Sequence, residues 1–233
     1  MSLVLGFDSA TEDVAVAATR DGELLDERRL EAAPGERPRH AAALLAEIES
    51  VTERAGGWGG VDTIAVGIGP GSFTGLRIGI ATARALAQAL AKPVVPVGTL
   101  AALARGIEGR AGAGDSAALP VLDARRGQAF AALYGPRGEE IWEPAVATPD
   151  ELAGRVKALD RRPLAAGSGA IRFRSELEAA GAEVLPDPDG AHRISARHVC
   201  LLAEGGSPAR PESIEPIYLR PPDAKLWLER DTH

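Results

Sequence analysis

Cysteine occurs once, at Cys200, so no internal disulfide can staple the fold, and the composition fits a reducing compartment. Cys200 lies in Arg197-His198-Val199-Cys200-Leu201-Leu202, an apolar helical pattern, and is expected to be a buried thiol. Lysine is nearly missing. Lys92, Lys157 and Lys225 are three of 26 basic residues, and the arginines are scattered rather than gathered into a stripe. With a net charge of −7, the chain lacks the basic face of a protein that holds nucleic acid alone, so any RNA role is expected to be shared with a more basic partner. There is no run of roughly 18 apolar residues to span a membrane. The opening from Met1 to Asp8 has no basic start and reaches an acid too soon for a secretion signal, and reads as a first strand. A cytoplasmic protein is expected.

What is present is a 233-residue chain, 45% hydrophobic, enough for one sizeable domain or two smaller ones sharing a core. Strand-like segments run from Leu3 to Phe7, Val14 to Ala18, Leu24 to Leu30 and Ile64 to Ile68. The short polar turns between the first three predict an antiparallel meander. From Arg37 to Ala55 the apolar positions Ala41, Leu44, Leu45, Ile48, Val51 and Ala55 form a one-sided helical stripe ended by Gly56-Gly57. A second helix, apolar on nearly all sides, is predicted from Leu76 to Ala91, stopped by Lys92-Pro93 before a strand from Val94 to Val97. Leu5-Gly6-Phe7-Asp8, a turn, Val14 to Ala17 and Asp21-Gly22-Glu23 resemble Pro120-Val121-Leu122-Asp123, a turn, Ala129 to Ala132 and Arg137-Gly138-Glu139, at an offset of about 115 residues. Two α/β halves facing each other are implied. The reading places an N-terminal half at 1–104, a smaller C-terminal half at 105–215 and a tail at 216–233. The joint falls in a Gly/Ala-rich loop from Arg105 to Ala118, and beyond Glu204 the chain is expected to run extended along the surface.

The most informative segment runs from Ile64 to Gly79, a strand, tight turn and helix with glycines at 67, 69, 71 and 75. Ser72 or Thr74 is placed to cap the helix. Free N–H groups at such a helix start attract anions, but the Gly-Lys-Ser/Thr ending of a P-loop is missing, and the spacing from Gly71 to Gly75 breaks the dinucleotide fingerprint. Phosphate contact and a structural turn beside a contact surface both stay open. The helix behind it favours contact: Gly79, Ala81, Ala83, Ala85, Ala87, Ala89 and Ala91 leave a smooth surface, with Arg77, Thr82 or Ala81, Arg84 and Gln88 as a narrow polar line. A helix so apolar must be covered on nearly all sides, which points to a partner subunit or to an ordinary central helix buried within the protein.

Gly69-Pro70-Gly71-Ser72-Phe73-Thr74-Gly75-Leu76-Arg77 closely resembles the signature of the TsaB family. Asp8-Ser9-Ala10-Thr11-Glu12 is similar to that family's Asp-Thr-Ser-Thr-Glu opening, with Ser9 and Ala10 as departures. Arg39-His40 leading to Leu44-Leu45 resembles its His-Ser helix start, with Ala41 in place of the serine. Asp123-Ala124-Arg125 and Pro216-Ile217-Tyr218-Leu219-Arg220 are similar to its second-half and closing elements.

The resemblance implies an α/β, actin-like/Hsp70-like ATPase fold with two ribonuclease-H-like halves, each a mixed sheet flanked by helices. It implies a non-catalytic subunit pairing with a TsaD-type catalytic paralogue and a TsaE-type ATPase, a homodimer without its partner, and contact with tRNA only through the complex. The reaction implied is transfer of threonylcarbamoyl to adenosine 37 of tRNAs reading codons that begin with A. The expected interface comprises His40, Leu44, Phe73, Thr74, Arg77, Ile80, Ala83, Arg84 and Ala87, beside the signature turn of Gly69, Pro70, Gly71, Ser72 and Gly75. In this fold the hairpin with Asp8, Ser9 and Thr11, together with Asp123, lies at a nucleotide cleft. The two aspartates either hold Mg²⁺ through water or brace their turns. No resident cofactor is expected, with ATP and Mg²⁺ bound only weakly or at the partner complex. The catalytic paralogue's metal needs two histidines four apart, but His40, His192, His198 and His233 supply no such pair, and His192 and His198 read as lying on different faces of a helix. A kinase-like ATP-dependent enzyme and, last, a metallopeptidase are the competing readings.

Overall fold

The computed structural model describes residues 2–31, 40–108, 110 and 115–220, without the side chains of residues 40–42. Three antiparallel strands open the chain, β1 (Leu3–Asp8), β2 (Val14–Arg20) and β3 (Glu23–Leu30), the expected meander. Helix α1 (His40–Arg54) follows, then β4 (Thr63–Gly67), α2 (Phe73–Leu90), β5 (Val94–Val97) and α3 (Thr99–Glu108). The second half has β6 (Ala118–Arg125), β7 (Gln128–Tyr134), β8 (Glu140–Ala147), α4 (Pro149–Lys157), β9 (Leu164–Ala166), α5 (Ser168–Arg172), α6 (Arg174–Ala179), β10 (Glu183–Val184) and α7 (Ala196–Glu204).

The two sheets have the same topology. The first is ordered β3-β2-β1-β4-β5 and the second β8-β7-β6-β9-β10, each an antiparallel meander extended by parallel strands. The repeat seen in the sequence is therefore a repeat of architecture. Every residue of β1 is buried, because helices cover both of its faces. Leu3, Leu5 and Phe7 point into a core with Leu44, Ile48 and Val51 of α1 and Ile80, Ala83 and Ala87 of α2. Val4 points the other way, into a core shared by both sheets through α3 and α7. These two helices exchange sides: α3 leaves the first sheet to pack on β6, while α7 returns from the second half to pack on β1 and β2.

Three expectations need correction. The loop expected from Arg105 begins later, because Leu100, Leu103, Ala104 and Ile107 bury one stripe of α3 and carry the helix through Gly106 to Glu108. Residues 109 and 111–114 of that stretch, and Arg37 to Arg39 of the expected first helix, lie outside the described residues. His192 and His198 do not share a helix, since His192 sits in a separate 3-10 turn at Gly190–His192. Finally, the segment after Glu204 is tied into the body. Ala209 bridges Val94 at the edge of β5, and Ile214 is buried in the first core. The expected tail is described only to Arg220; residues 221–233 lie outside the described part.

Cys200 is fully buried, as expected, and faces the backbone of β1 and β2, with burial pushing its thiol up to about 12. Gly6 makes room for it: a Cβ there would stand 2.5 Å from the Cys200 sulfur. Overpacking this contact by Gly6→Ala is expected to destabilise the fold by about 1–3 kcal/mol. Urea denaturation monitors that loss. A thiol reagent at neutral pH should label native Cys200 only at the rate of opening, and faster in the variant.

Candidate functional site

Asp8 ends β1 at the centre of the first sheet, almost wholly shielded from water at 1% exposure. One carboxyl oxygen accepts the N–H of Ala10 at 2.7 Å and the other accepts the hydroxyl of Thr99 at 2.7 Å. Thr99, the first residue of α3, in turn accepts the N–H of Gly69 at 3.1 Å and donates its own N–H to the Gly69 carbonyl at 2.8 Å. The signature turn is thus threaded onto Asp8 through one threonine. Burial is the largest influence on the Asp8 carboxyl and raises it above its ordinary value, against the pull of the two donors.

The glycines of the turn are explained by this crowding. A Cβ at Gly67 would fall on the Asp8 carboxyl, one at Gly71 on the backbone of Ala10, and one at Gly75 on the Ser9 carbonyl. Gly69 precedes a cis peptide to Pro70 and holds φ at 106°. Ser9, also buried, donates to the Gly75 carbonyl at 2.9 Å. Of the two candidate caps, it is Ser72 that takes the N–H of Gly75, at 3.3 Å, and α2 starts at Phe73, a turn earlier than the apolar pattern indicates. The N–H of Ser72 goes to the Ala10 carbonyl at 2.6 Å. Two of the donors at this helix start, the N–H groups of Ser72 and Gly75, are therefore engaged within the turn.

Asp123 occupies the matching hairpin of the second half and makes the same local bond, accepting the N–H of Arg125 at 2.8 Å. Its carboxylate is further held by Arg172 at 2.8 and 3.0 Å, and its own N–H reaches Ser168 at 3.1 Å. Both aspartates brace their turns. Between the hairpins lies a cleft of about 770 Å³ lined by Thr11, Ser72, Asp123, Ser168, His192 and Tyr218, among others. Thr11 turns back to the Asp13 carbonyl at 3.3 Å, and an exposed ion pair of Glu12 with Arg125 joins the hairpin tips. His192 is buried with one ring nitrogen 3.1 Å from the Gly167 N–H and the other 3.1 and 3.0 Å from the carbonyls of Leu185 and Pro186. Among the described residues no three His, Cys, Asp or Glu side chains gather as metal ligands would.

The expected interface set divides. Thr74 and Arg77 are exposed on α2, and Phe73 is half-buried. Leu44, Ile80, Ala83 and Ala87 are core residues instead, with Leu44 and Ala83 at 0% exposure, because the buried stripe of α1 lies against β2 and that of α2 against β4 and β1. They are not available to a partner. The exposed small residues of α2 are Ala81, Ala85 and Ala89, on the opposite side. Arg84 donates to the carbonyls of Glu212 and Ile214, so its charge is turned to the chain's own C-terminal segment. His40 begins α1, but its side chain lies outside the described residues.

Residues that sequence reasoning missed are Thr99, Arg172 and Ser168. Ser168 carried a faint signal, since Gly167-Ser168-Gly169 lies at a strand-to-helix turn in the second half as Gly71-Ser72 does in the first. Thr99 carried none.

The raised Asp8 carboxyl sets a pH dependence. Above the unfolded value, about pH 4, the folded chain keeps a proton that the unfolded chain has lost, so stability falls as pH rises to the folded value. Asp8→Asn does not titrate and escapes that fall. Its urea stability relative to the parent is expected to improve from pH 4 toward neutrality; a gap that widens against the variant as pH rises would contradict the assignment.

The family described as "TsaD: tRNA N6-adenosine threonylcarbamoyltransferase" matches residues 35–175. The tRNA threonylcarbamoyladenosine biosynthesis protein TsaB of Escherichia coli is 32% identical over 228 residues, covering 93% of this chain and 94% of its own length. The structure of YeaZ from Pseudomonas aeruginosa superposes with a TM-score of 0.76 at 28% identity, covering 94% of this chain and 100% of that one. A ROK hexokinase from Thermus thermophilus superposes with a TM-score of 0.52 at 15% identity, over 87% of this chain and 98% of that one. That last likeness concerns fold alone, and with the two mixed sheets it identifies the actin-like/Hsp70-like architecture. Matched along most of its length by a relative of nearly equal extent, the chain belongs to the TsaB family.

Proposed function

We propose that this chain is a non-catalytic subunit that binds and activates a TsaD-type transferase placing threonylcarbamoyl on adenosine 37 of tRNAs that read codons beginning with A. The observation that carries the non-catalytic part is the commitment of Asp8 and Asp123 to bracing contacts, one with Thr99 and the Ala10 amide, the other with Arg172 and the Arg125 amide. Asp8 is buried with each oxygen already accepting a hydrogen bond, and both Asp123 oxygens face Arg172, which leaves fewer lone pairs for Mg²⁺ and its waters.

The docking face we assign is the outer side of α2, formed by Thr74, Arg77, Ala81, Ala85, Gln88 and Ala89. Helix α1 packs on α2 and adds Leu45, which is 53% exposed. Small side chains here let a partner helix approach closely. A TsaE-type ATPase completes the assembly in this reading, tRNA is held through the complex, and the chain self-associates when its partner is absent. We place it in the cytoplasm; no helix among the described residues is long and apolar enough to cross a membrane. The two halves meet between α3 and β6 rather than at the expected 104/105, since α3 runs unbroken from Thr99 to Glu108, and of the expected tail at 216–233 the part to Arg220 is held against the body.

Reconstitution with a TsaD-type transferase, a TsaE-type ATPase, threonylcarbamoyl-adenylate and substrate tRNA tests the function, read as modified nucleoside with and without this chain. Omission is expected to abolish formation; undiminished product overturns the proposal. Ala81→Arg and Ala85→Glu should leave a folded monomer that no longer forms the heterodimer on a sizing column. Ala83→Glu should instead unfold the chain, since it places a charge in the core, at a cost of several kcal/mol or about that order.

A further inference from the structure

We propose that the segment from Ala209 to Arg220 is a strap that fixes the N-terminal end of α2 for docking, with Tyr218 as the residue that positions Arg77. The inference rests on the docking reading above and refines it by naming which side chain must be held in place and what holds it.

The strap is anchored along its length. Ala209 donates to the Val94 carbonyl at 2.8 Å, Arg84 of α2 donates to the carbonyls of Glu212 and Ile214, and the Ile214 side chain enters the core beside Ile80 and Ala83. Ile217 then donates to the Ile68 carbonyl at 2.8 Å, directly before the signature turn, and Arg220 reaches Gln128 of β7 at 3.3 Å. Between these last two anchors stands Tyr218. Its ring stacks on Phe73 with centroids 5.0 Å apart and planes inclined by 30°. Its hydroxyl lies 3.3 Å from Nε of Arg77, and the guanidinium of Arg77 lies 3.9 Å from the Phe73 centroid.

Arg77 is thus an exposed cation held by an aromatic face and a hydroxyl, with no carboxylate in ion-pair reach among the described residues. Cation–π contact orders the side chain and leaves its outward N–H groups open to an acceptor. On the rim of the assigned docking face, the complementary group is a carboxylate of the TsaD-type partner, which a guanidinium binds with two donors. An arginine ordered before encounter loses less rotamer freedom on binding than a free one. Tyr218 supplies that order, and the strap supplies Tyr218.

The experiment is a double-mutant cycle with Tyr218→Ala and Arg77→Ala, reading the heterodimer Kd by calorimetry with a TsaD-type paralogue and thermal unfolding of each variant alone. Tyr218→Ala is expected to weaken binding about three- to tenfold with an unchanged Tm, since Tyr218 is 40% exposed. Tyr218→Phe should keep the stack and weaken binding less. In the Arg77→Ala background, Tyr218→Ala should have no further effect. Equal affinity for Tyr218→Ala overturns the proposal, and so do independent, additive losses or a loss tracked by falling Tm. If the unaltered chain does not bind, it is the docking reading that fails.

Discussion

The buried carboxyl of Asp8 organises the first half of this protein. It sits where three elements converge: the end of β1, the turn after β4 and the first residue of α3. Its bond to Thr99 brings α3 against the signature turn, and its bond to Ala10 shapes the hairpin that the turn rests upon. No larger residue fits opposite it, which is why Gly67 faces its carboxyl, while Gly71 and Gly75 leave room for the backbone of Ala10 and Ser9. A buried polar group that is fully paired fixes one arrangement and penalises others, and here it fixes the start of α2.

The second half shows the same architecture solved with different chemistry. Asp123 keeps the bond to the amide two residues on, but an arginine rather than a threonine holds its outer oxygens, and the site is wetter. In a duplicated fold with a cleft between the halves, such carboxylates are well placed for a nucleotide and its metal. In this structure both are hydrogen-bonded within the frame. The hydrogen bonds of Asp8 tie β1, the signature turn and α3 together, and those of Asp123 tie β6 to α5.

Much of this was legible in the sequence because it depends on local pattern. The meander shows in alternating apolar segments and short polar turns, the repeat in a shared spacing of aspartate, turn and Gly-Glu, and the signature turn in its glycines. What was not legible depends on partners distant in the chain. Helical spacing identifies the apolar positions of α2 but not which of them a sheet will cover, so Ala83 and Ala87 looked like surface when β4 and β1 bury them. Arg84 looked like part of a polar line, whereas its target is a backbone more than a hundred residues away. Thr99 follows a strand with no motif around it, and only the parallel register of β4 and β5 carries it to Asp8. The exchange of α3 and α7 between sheets is invisible for the same reason.

The central claim is that Asp8 is a brace and not a ligand. Observing its carboxyl carbon by NMR, with pH varied and Mg²⁺·ATP added, addresses that claim directly. The account predicts titration above the ordinary aspartate range and a resonance unmoved by the nucleotide. A carboxyl that ionises in the ordinary range, and whose resonance shifts on addition of Mg²⁺·ATP, would contradict it.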